Sequence, residues 1–283
     1  MQTLEALERA IATSYKLKDV VRTMKVLAAA SIRQYEQAVL AVADYGRTVE
    51  LGLKACLRRL MPPTVSQGTG GQAAIVFGSD HGLCGRFNEV VADFAVQHLA
   101  AGSRLLAVGA RIDLALQARG WFAEESFFAP GSVAGITFTV RQMLEKIENW
   151  RGEGVERVDL FYQRHSGQRL KPLVRRLLPL QAEELAELKR SPWPGRSLPD
   201  FSLEATELMA ALVRQYLFIS LYRACAEAQA AEYSQRLLAM QLAERNIDQR
   251  IEELTRTYHQ LRQEKITAEL LEIVSGFEAV HGE

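Results

Sequence analysis

Residues 201–275 contain neither glycine nor proline. So long a run without a helix breaker suits one continuous helix, because proline removes a backbone donor and glycine costs about 1 kcal/mol in a helix interior. At about 1.5 Å per residue that helix would be about 110 Å long. No compact domain of this size holds such a helix, so it is expected to project and to need a partner for its apolar seam. Residues 1–61 have no proline and only Gly46 and Gly52, while all eight prolines lie between Pro62 and Pro199. The expected organisation is an N-terminal coiled-coil helix over 1–61, a central α/β domain over 62–200 and a C-terminal coiled-coil helix over 201–283.

Both arms carry seams. Tyr35, Val39, Val42, Gly46, Val49, Leu53, Cys56 and Leu60 recur at spacings of four and three, preceded by Leu4, Leu7, Ile11, Val20, Met24 and Leu27. Such spacing is that of a coiled coil, and Gly46 permits close approach of two backbones. Pro62-Pro63 is expected to end this arm, with Thr64–Gln72 as a flexible linker. In the last arm Ile247, Ile251, Leu254, Tyr258 and Leu261 form one set, and Ile266, Leu270, Ile273 and Phe277 a second, phase-shifted one. Lys+Arg against Asp+Glu is 10 to 6 over residues 1–61 and 8 to 14 over 200–283. Arms of opposite charge favour an antiparallel pair within one molecule.

The middle alternates apolar runs with helical patterns. Strands are expected at Ala73–Phe77, Leu105–Val108, Val155–Tyr162 and Lys171–Leu178, the last at an edge or strand start because of Pro172. Helices are expected at Phe87–Ala101, Ile112–Arg119 and Phe138–Trp150, and Ser191–Pro199 as a breaker-rich return. Strand–helix alternation implies a mainly parallel, Rossmann-like sheet.

The composition narrows the function. Thirty-four basic and 34 acidic residues leave no net charge, against a general nucleic-acid binder. No apolar run approaches the roughly 20 residues of a membrane span, and MQTLEALERAIATS does not read as a signal peptide. Cys56, Cys84 and Cys225 are too few and scattered for a disulfide framework, which suggests a reduced compartment.

The loop Ser79-Asp80-His81-Gly82-Leu83-Cys84-Gly85 leaves the first strand and enters a helix, where α/β folds hold phosphates. It has neither a GxGxxG nor a GxxxxGK[ST] fingerprint, so a structural turn, and after it an interaction loop, outweighs a nucleotide site. His81 and Cys84, three apart, have no accompanying metal-ligand spacing or catalytic base. The basic cluster Lys16, Lys18, Arg22 and Lys25 reads as a solvated face or as a surface for an acidic partner. The acidic run from Glu244 to Glu253 likewise reads as a solvated face.

Three blocks carry a resemblance. VVRTMKVLAAAS (Val20–Ser31), SDHGLCGRFN (Ser79–Asn88) and the stretch from LYRACAEAQAAEYSQRLLAM (Leu221–Met240) to RQEKITAELLEIVSG (Arg262–Gly276) resemble the gamma subunits of F-type ATP synthases. Their order along one chain makes chance a poor explanation. The chain departs from the family pattern in four places. His81 stands for the usual Arg, Arg22-Thr23 for Lys-Ala, Ile32 for a basic residue, and Arg86-Phe87 for Gly-Leu.

The resemblance implies a central rotor shaft coupling ion-driven rotation of a membrane ring to ATP synthesis or hydrolysis. Implied partners are three alpha and three beta subunits, an epsilon subunit and a ring of c subunits. It also implies a peripheral place on the cytoplasmic face of a bacterial inner membrane, and no catalytic residue, cofactor or metal of the chain's own. Carried over residue by residue, the stator contacts fall at Arg22, Met24, Lys25, Arg236, Arg262, Gln263, Thr267 and Glu269. Gly82, Leu83, Cys84 and Gly85 form the motif loop. Ile273, Val274, Phe277 and Val280 would enter an apolar bearing. The competing reading is an α/β nucleotide-binding protein with a helical dimerisation stalk.

Overall fold

Thr3 begins the first helix, its Oγ1 accepting the Ala6 amide at 3.3 Å and its carbonyl the Leu7 amide. From there α1 runs over Leu4–Arg59 without a break. The computed structural model describes residues 3–59, 70–166, 169–180, 182–196 and 199–281. The expected stop at Pro62-Pro63 and all but the last three residues of the linker lie outside them, as do Leu60 and part of the Ser191–Pro199 return. Contacts divide the chain into two units, Met1–Leu27 with Leu237–Glu283, and Ala28–Arg236.

The larger unit is built on a five-stranded sheet. Its strands are β1 (Gly71–Phe77), β2 (Arg104–Val108), β3 (Glu125–Phe127), β4 (Val155–Ser166) and β5 (Arg169–Leu178), in the order β3-β2-β1-β4-β5. β1 pairs in parallel with β2 and β4, β2 in parallel with β3, and β5 runs antiparallel along β4. Helices α2 (Phe87–His98), α3 (Ala110–Gln117), α4 (Val133–Gly152) and α5 (Ala182–Arg190) connect the strands and lead on to α6 (Ala205–His281). The chain winds outward from β1 through β2 to β3, then crosses by α4 to β4. The order therefore reverses between β1 and β4, as in doubly wound α/β folds.

Side-chain alternation sorts the two faces of the sheet. Ala73, Ile75 and Phe77 of β1 join Leu160 and Tyr162 of β4 beneath Ile136, Val140, Met143 and Trp150 of α4. Leu221, Ala224 and Cys225 of α6 and Tyr35 of α1 complete that core. The intervening Ala74 and Val76, with Phe161, pack on Val91 and Ala95 of α2 and Ile112 and Leu116 of α3. Burial on both faces explains why AAIVF is an unbroken apolar run.

Within this unit the α1 and α6 segments run antiparallel. Tyr35 stacks on Tyr233 with ring centroids 5.7 Å apart, Gly46 faces Ile219, and Gly52 faces Leu212. Gly52 is the tighter approach, since an added Cβ would lie 2.9 Å from Leu212 Cδ2. The expected seam holds here: Tyr35, Val42, Val49, Leu53 and Cys56 are buried.

The smaller unit is also an antiparallel helix pair. Tyr258 donates to Glu8 Oε1 at 2.6 Å, Lys18 meets Asp248, and Lys25 meets Glu244. Leu7, Ile251 and Leu254 are buried between the helices. Two expected seam residues lie elsewhere. Val20 and Leu27 are 51% and 61% exposed, and Val21 takes the inward place. The second set, Ile266, Leu270, Ile273 and Phe277, is exposed.

Candidate functional site

β1 ends at Phe77, and the chain turns through the motif loop into α2 at the point where the strand order reverses. Two glycines make the turn possible. A Cβ on Gly78 would lie 2.3 Å from Ile112 Cβ, and one on Gly109, at φ +119°, would lie 2.8 Å from the Ser79 carbonyl oxygen. Leu83 and Gly85 both take positive φ, 65° and 60°.

Polar groups hold the loop from inside. The Ser79 amide donates to Asn88 Oδ1 at 2.9 Å, Asn88 Nδ2 returns a bond to Ser79 Oγ at 2.8 Å, and Ser79 Oγ donates to the His81 carbonyl at 2.9 Å. Asp80 reaches two other segments. Its Oδ1 accepts the Ala110 amide at 2.9 Å, at the start of α3, and its Oδ2 accepts the Ala129 amide at 3.0 Å. A carboxylate thus caps the N-terminus of α3, where the helix dipole favours an anion. The anion there is the chain's own.

Cys84 lies inside the loop against Phe87 and Ala231 of α6, with Leu170 of β5 beside them. Burial pushes its thiol above the usual range and opposes the thiolate a nucleophile needs. Among the described residues no group of His, Cys, Asp and Glu is placed to hold a metal.

From α6, Arg236 Nη2 reaches the Gly82 carbonyl at 3.5 Å and lies 2.6 Å from Glu232 Oε1, one turn back. Glu232 is 2% exposed. Burial pushes its carboxyl up to about 7, with Asp80 adding to the rise and Arg236 opposing it. The structure therefore joins Gly82, Leu83, Cys84 and Gly85 with Arg236, which are far apart in sequence.

The other candidate contacts lie in the smaller unit. Arg22 and Lys25 converge on one carboxylate, Nε 3.0 Å from Glu244 Oε1 and Nζ 2.5 Å from Oε2. Together they hold the Glu244 carboxyl below its usual range, Lys25 more than Arg22. Three of the four residues of the basic cluster thus meet acids of α6, so the acidic partner of that surface is the chain's own last helix. Met24 is half-buried beside them. Arg262, Gln263, Thr267 and Glu269 all lie on the exposed stretch of α6. Thr267 Oγ1 donates to the Gln263 carbonyl at 2.9 Å, and Glu269 stands 3.8 Å from Lys265.

Sequence reasoning missed Asp80, Glu232 and Glu244 as organising residues. Glu232 and Arg236 carried a readable signal, opposite charges four apart on a helix. The partners of Asp80, 30 and 49 residues away, left none.

Comparison with known proteins gives one consistent result. A family profile described as ATP synthase matches residues 3–280. The ATP synthase gamma chain of Salinibacter ruber is 30% identical, over 99% of this chain and 99% of that one. Those of Desulforudis audaxviator and Bacteroides fragilis are 29% and 27% identical, also nearly end to end. Among solved structures, a chain of the Euglena gracilis mitochondrial ATP synthase (OSCP/F1/c-ring, rotational state 3) superposes with a TM-score of 0.68 at 18% identity, covering 99% of this chain and 95% of that one.

Proposed function

This chain belongs to the ATP synthase gamma family, and on that premise we propose that it is the central rotor shaft of an F-type ATP synthase. The family match over residues 3–280 carries the reading. The absence of a phosphate-binding fingerprint in the motif loop speaks against the nucleotide-binding alternative.

The paired helices serve as the shaft inside a ring of three alpha and three beta subunits. The α/β unit serves as the foot, with the epsilon subunit, on the ring of c subunits. Nucleotide chemistry belongs to the beta subunits, and this chain supplies a coupling free energy between its angle and their affinities. The chain works as part of a peripheral assembly on the cytoplasmic face of a bacterial inner membrane. Among the described residues no helix is long and apolar enough to cross a membrane. In functional terms the divisions are 1–61, 62–200 and 201–283.

Arg22, Met24 and Lys25 on α1 and Arg236, Arg262, Gln263, Thr267 and Glu269 on α6 meet the stator. Gln263 and Thr267 are four apart on one exposed face, and both are neutral hydrogen-bonders. Such contacts contribute about 0.5–1.5 kcal/mol each, weak enough to form and release in every turn.

The test is reconstitution with alpha and beta subunits. The chain alone should not hydrolyse ATP, and adding it to the two subunits should give steady turnover. Gln263→Ala with Thr267→Ala should keep the fold and lower turnover or assembly, with Gln241→Ala as control. Robust turnover by the pure chain would sink the shaft reading. Wild-type behaviour of the double variant would sink only these two contacts.

A further inference from the structure

Glu232 has no role in the shaft reading, yet it is the most deeply buried carboxylate beside the motif loop. Its side chain is 3% exposed, and that of its neighbour Arg236 is 16% exposed. An ionised carboxylate in such a place is costly unless paired and hydrogen-bonded. Here the pairing is incomplete. Arg236 Nη2 approaches Oε1 to 2.6 Å, but that oxygen accepts no well-aligned hydrogen bond. The same nitrogen reaches the Gly82 carbonyl, and the guanidinium lies 5.3 Å from the centre of the Tyr233 ring.

The charged and titratable groups around Glu232 come from three elements. Arg236 lies on α6, Asp80 and Cys84 on the loop, and Tyr35 on α1. Arg236 favours the ionised form and Asp80 disfavours it. Asp80 is fixed by its two backbone bonds and cannot swing away without releasing Ala110 and Ala129. Cys84 and Tyr35 are held neutral by burial.

We propose that Glu232 is a proton-operated latch on Arg236. Ionised, it ties the guanidinium to its own helix beside the Gly82 carbonyl. Protonated by solvent, it loses the charge that holds Arg236, and the guanidinium turns outward from the loop. The carboxyl's rise to about 7 places the change within the physiological range. Its functional consequence rests on the shaft reading, in which Arg236 meets the stator: proton activity then sets how many cations the shaft offers there.

The latch is read directly in the full-length chain by following the Arg236 side-chain nitrogen resonance, assigned by its loss in Arg236→Lys, from pH 5.5 to 8.5. The expected result is a titration with a midpoint near 7 that disappears in Glu232→Gln. Asp80→Asn, which keeps an acceptor oxygen but removes the opposing charge, should move the midpoint to lower pH. This variant decides the matter if Glu232→Gln does not fold. A resonance that does not move with pH in the wild type, or a midpoint unchanged in either variant, overturns the proposal. The second arm is the pH profile of ATP turnover in the reconstituted complex, where Glu232→Gln should remove one inflection near neutrality. An unchanged profile removes the functional consequence and leaves the shaft reading intact. Failure of the wild-type chain to assemble removes the shaft reading and leaves the resonance experiment to judge the latch.

Discussion

Lys25 Nζ lies 2.5 Å from Glu244 Oε2, and Arg22 Nε takes the other oxygen of the same carboxylate at 3.0 Å. One acid on α6 thus serves two cations on α1. Glu244→Gln should lower the melting temperature, and the difference should shrink at about 1 M salt, where the screening length is about 3 Å. The carboxyl is held below its ordinary value, so the pair's contribution is present above the unfolded-state value and is lost as pH falls through the folded one. Equal melting of wild type and variant at low salt would show the triad to be ornamental.

Asp80 caps two backbone amides from separate segments. Asp80→Ala strands both donors in a half-buried site, at a cost of about 1–3 kcal/mol each. Denaturant melts should report the loss, and amide exchange should accelerate at Ala110 and Ala129 before it does in β1. Unchanged protection at both amides would mean that water replaces the carboxylate.

Gly52 and Gly78 should answer alanine differently. At Gly52 the new methyl meets the flexible end of Leu212, and alanine's better helix propensity, worth about 1 kcal/mol, offsets the crowding. Gly52→Ala should therefore stay within about 1 kcal/mol of wild type. At Gly78 the methyl meets Ile112 Cβ at 2.3 Å and Asn88 Oδ1 at 2.6 Å. Gly78→Ala should cost about 3 kcal/mol or fail to fold.

Two carboxylates should give the chain a two-sided response to acid. Glu124 is held at about 2 by Arg104, which donates to both its oxygens, with Trp150 also donating to Oε2. Its folded value is depressed, so its contribution is present above about 4.5 and disappears as pH falls toward 2. Glu232 works the other way. Its folded value is raised from 4.5 to about 7, so the folded chain binds the extra proton and loses stability as pH rises through that window. The full swing is about 3 kcal/mol, at about 1.4 kcal/mol per pK unit. Melting measured from pH 4 to 8 should therefore fall with rising pH in wild type more steeply than in Glu232→Gln. Glu124→Gln should flatten only the acid limb below about 4.5.

Much of this was legible in the sequence. Ile251 and Leu254 are buried as their spacing implied, and Pro172 lies in the edge strand β5. Other features were hidden for physical reasons. The seam reading chose Leu27 over Ala28, yet Ala28 is 1% exposed and Leu27 is 61% exposed. Closely packed helices favour the smaller residue, whereas a hydropathy pattern favours the larger. β3 has three residues, of which Glu125 and Ser126 are exposed, so no alternation announced it. α5 does carry a readable pattern, with Leu185 and Leu188 three apart, but it is short and falls between the expected last strand and the Ser191–Pro199 return, where no element was expected. The positive φ of Leu83 has no signature in a leucine. The family resemblance pointed to the loop, but what the loop does depends on Ala110, Ala129 and Arg236, which only the folded chain brings to it.

The two bonds of Asp80 have a mechanical consequence. Through one carboxylate the turn after β1 is tied to the start of α3 and to the backbone just beyond β3. A pull applied to the loop through the Gly82 carbonyl is shared among three separate strands of the sheet, and one hinge does not have to yield first. The turn after β1 therefore has little freedom of its own, and force entering it passes straight into the sheet as through a rigid coupling.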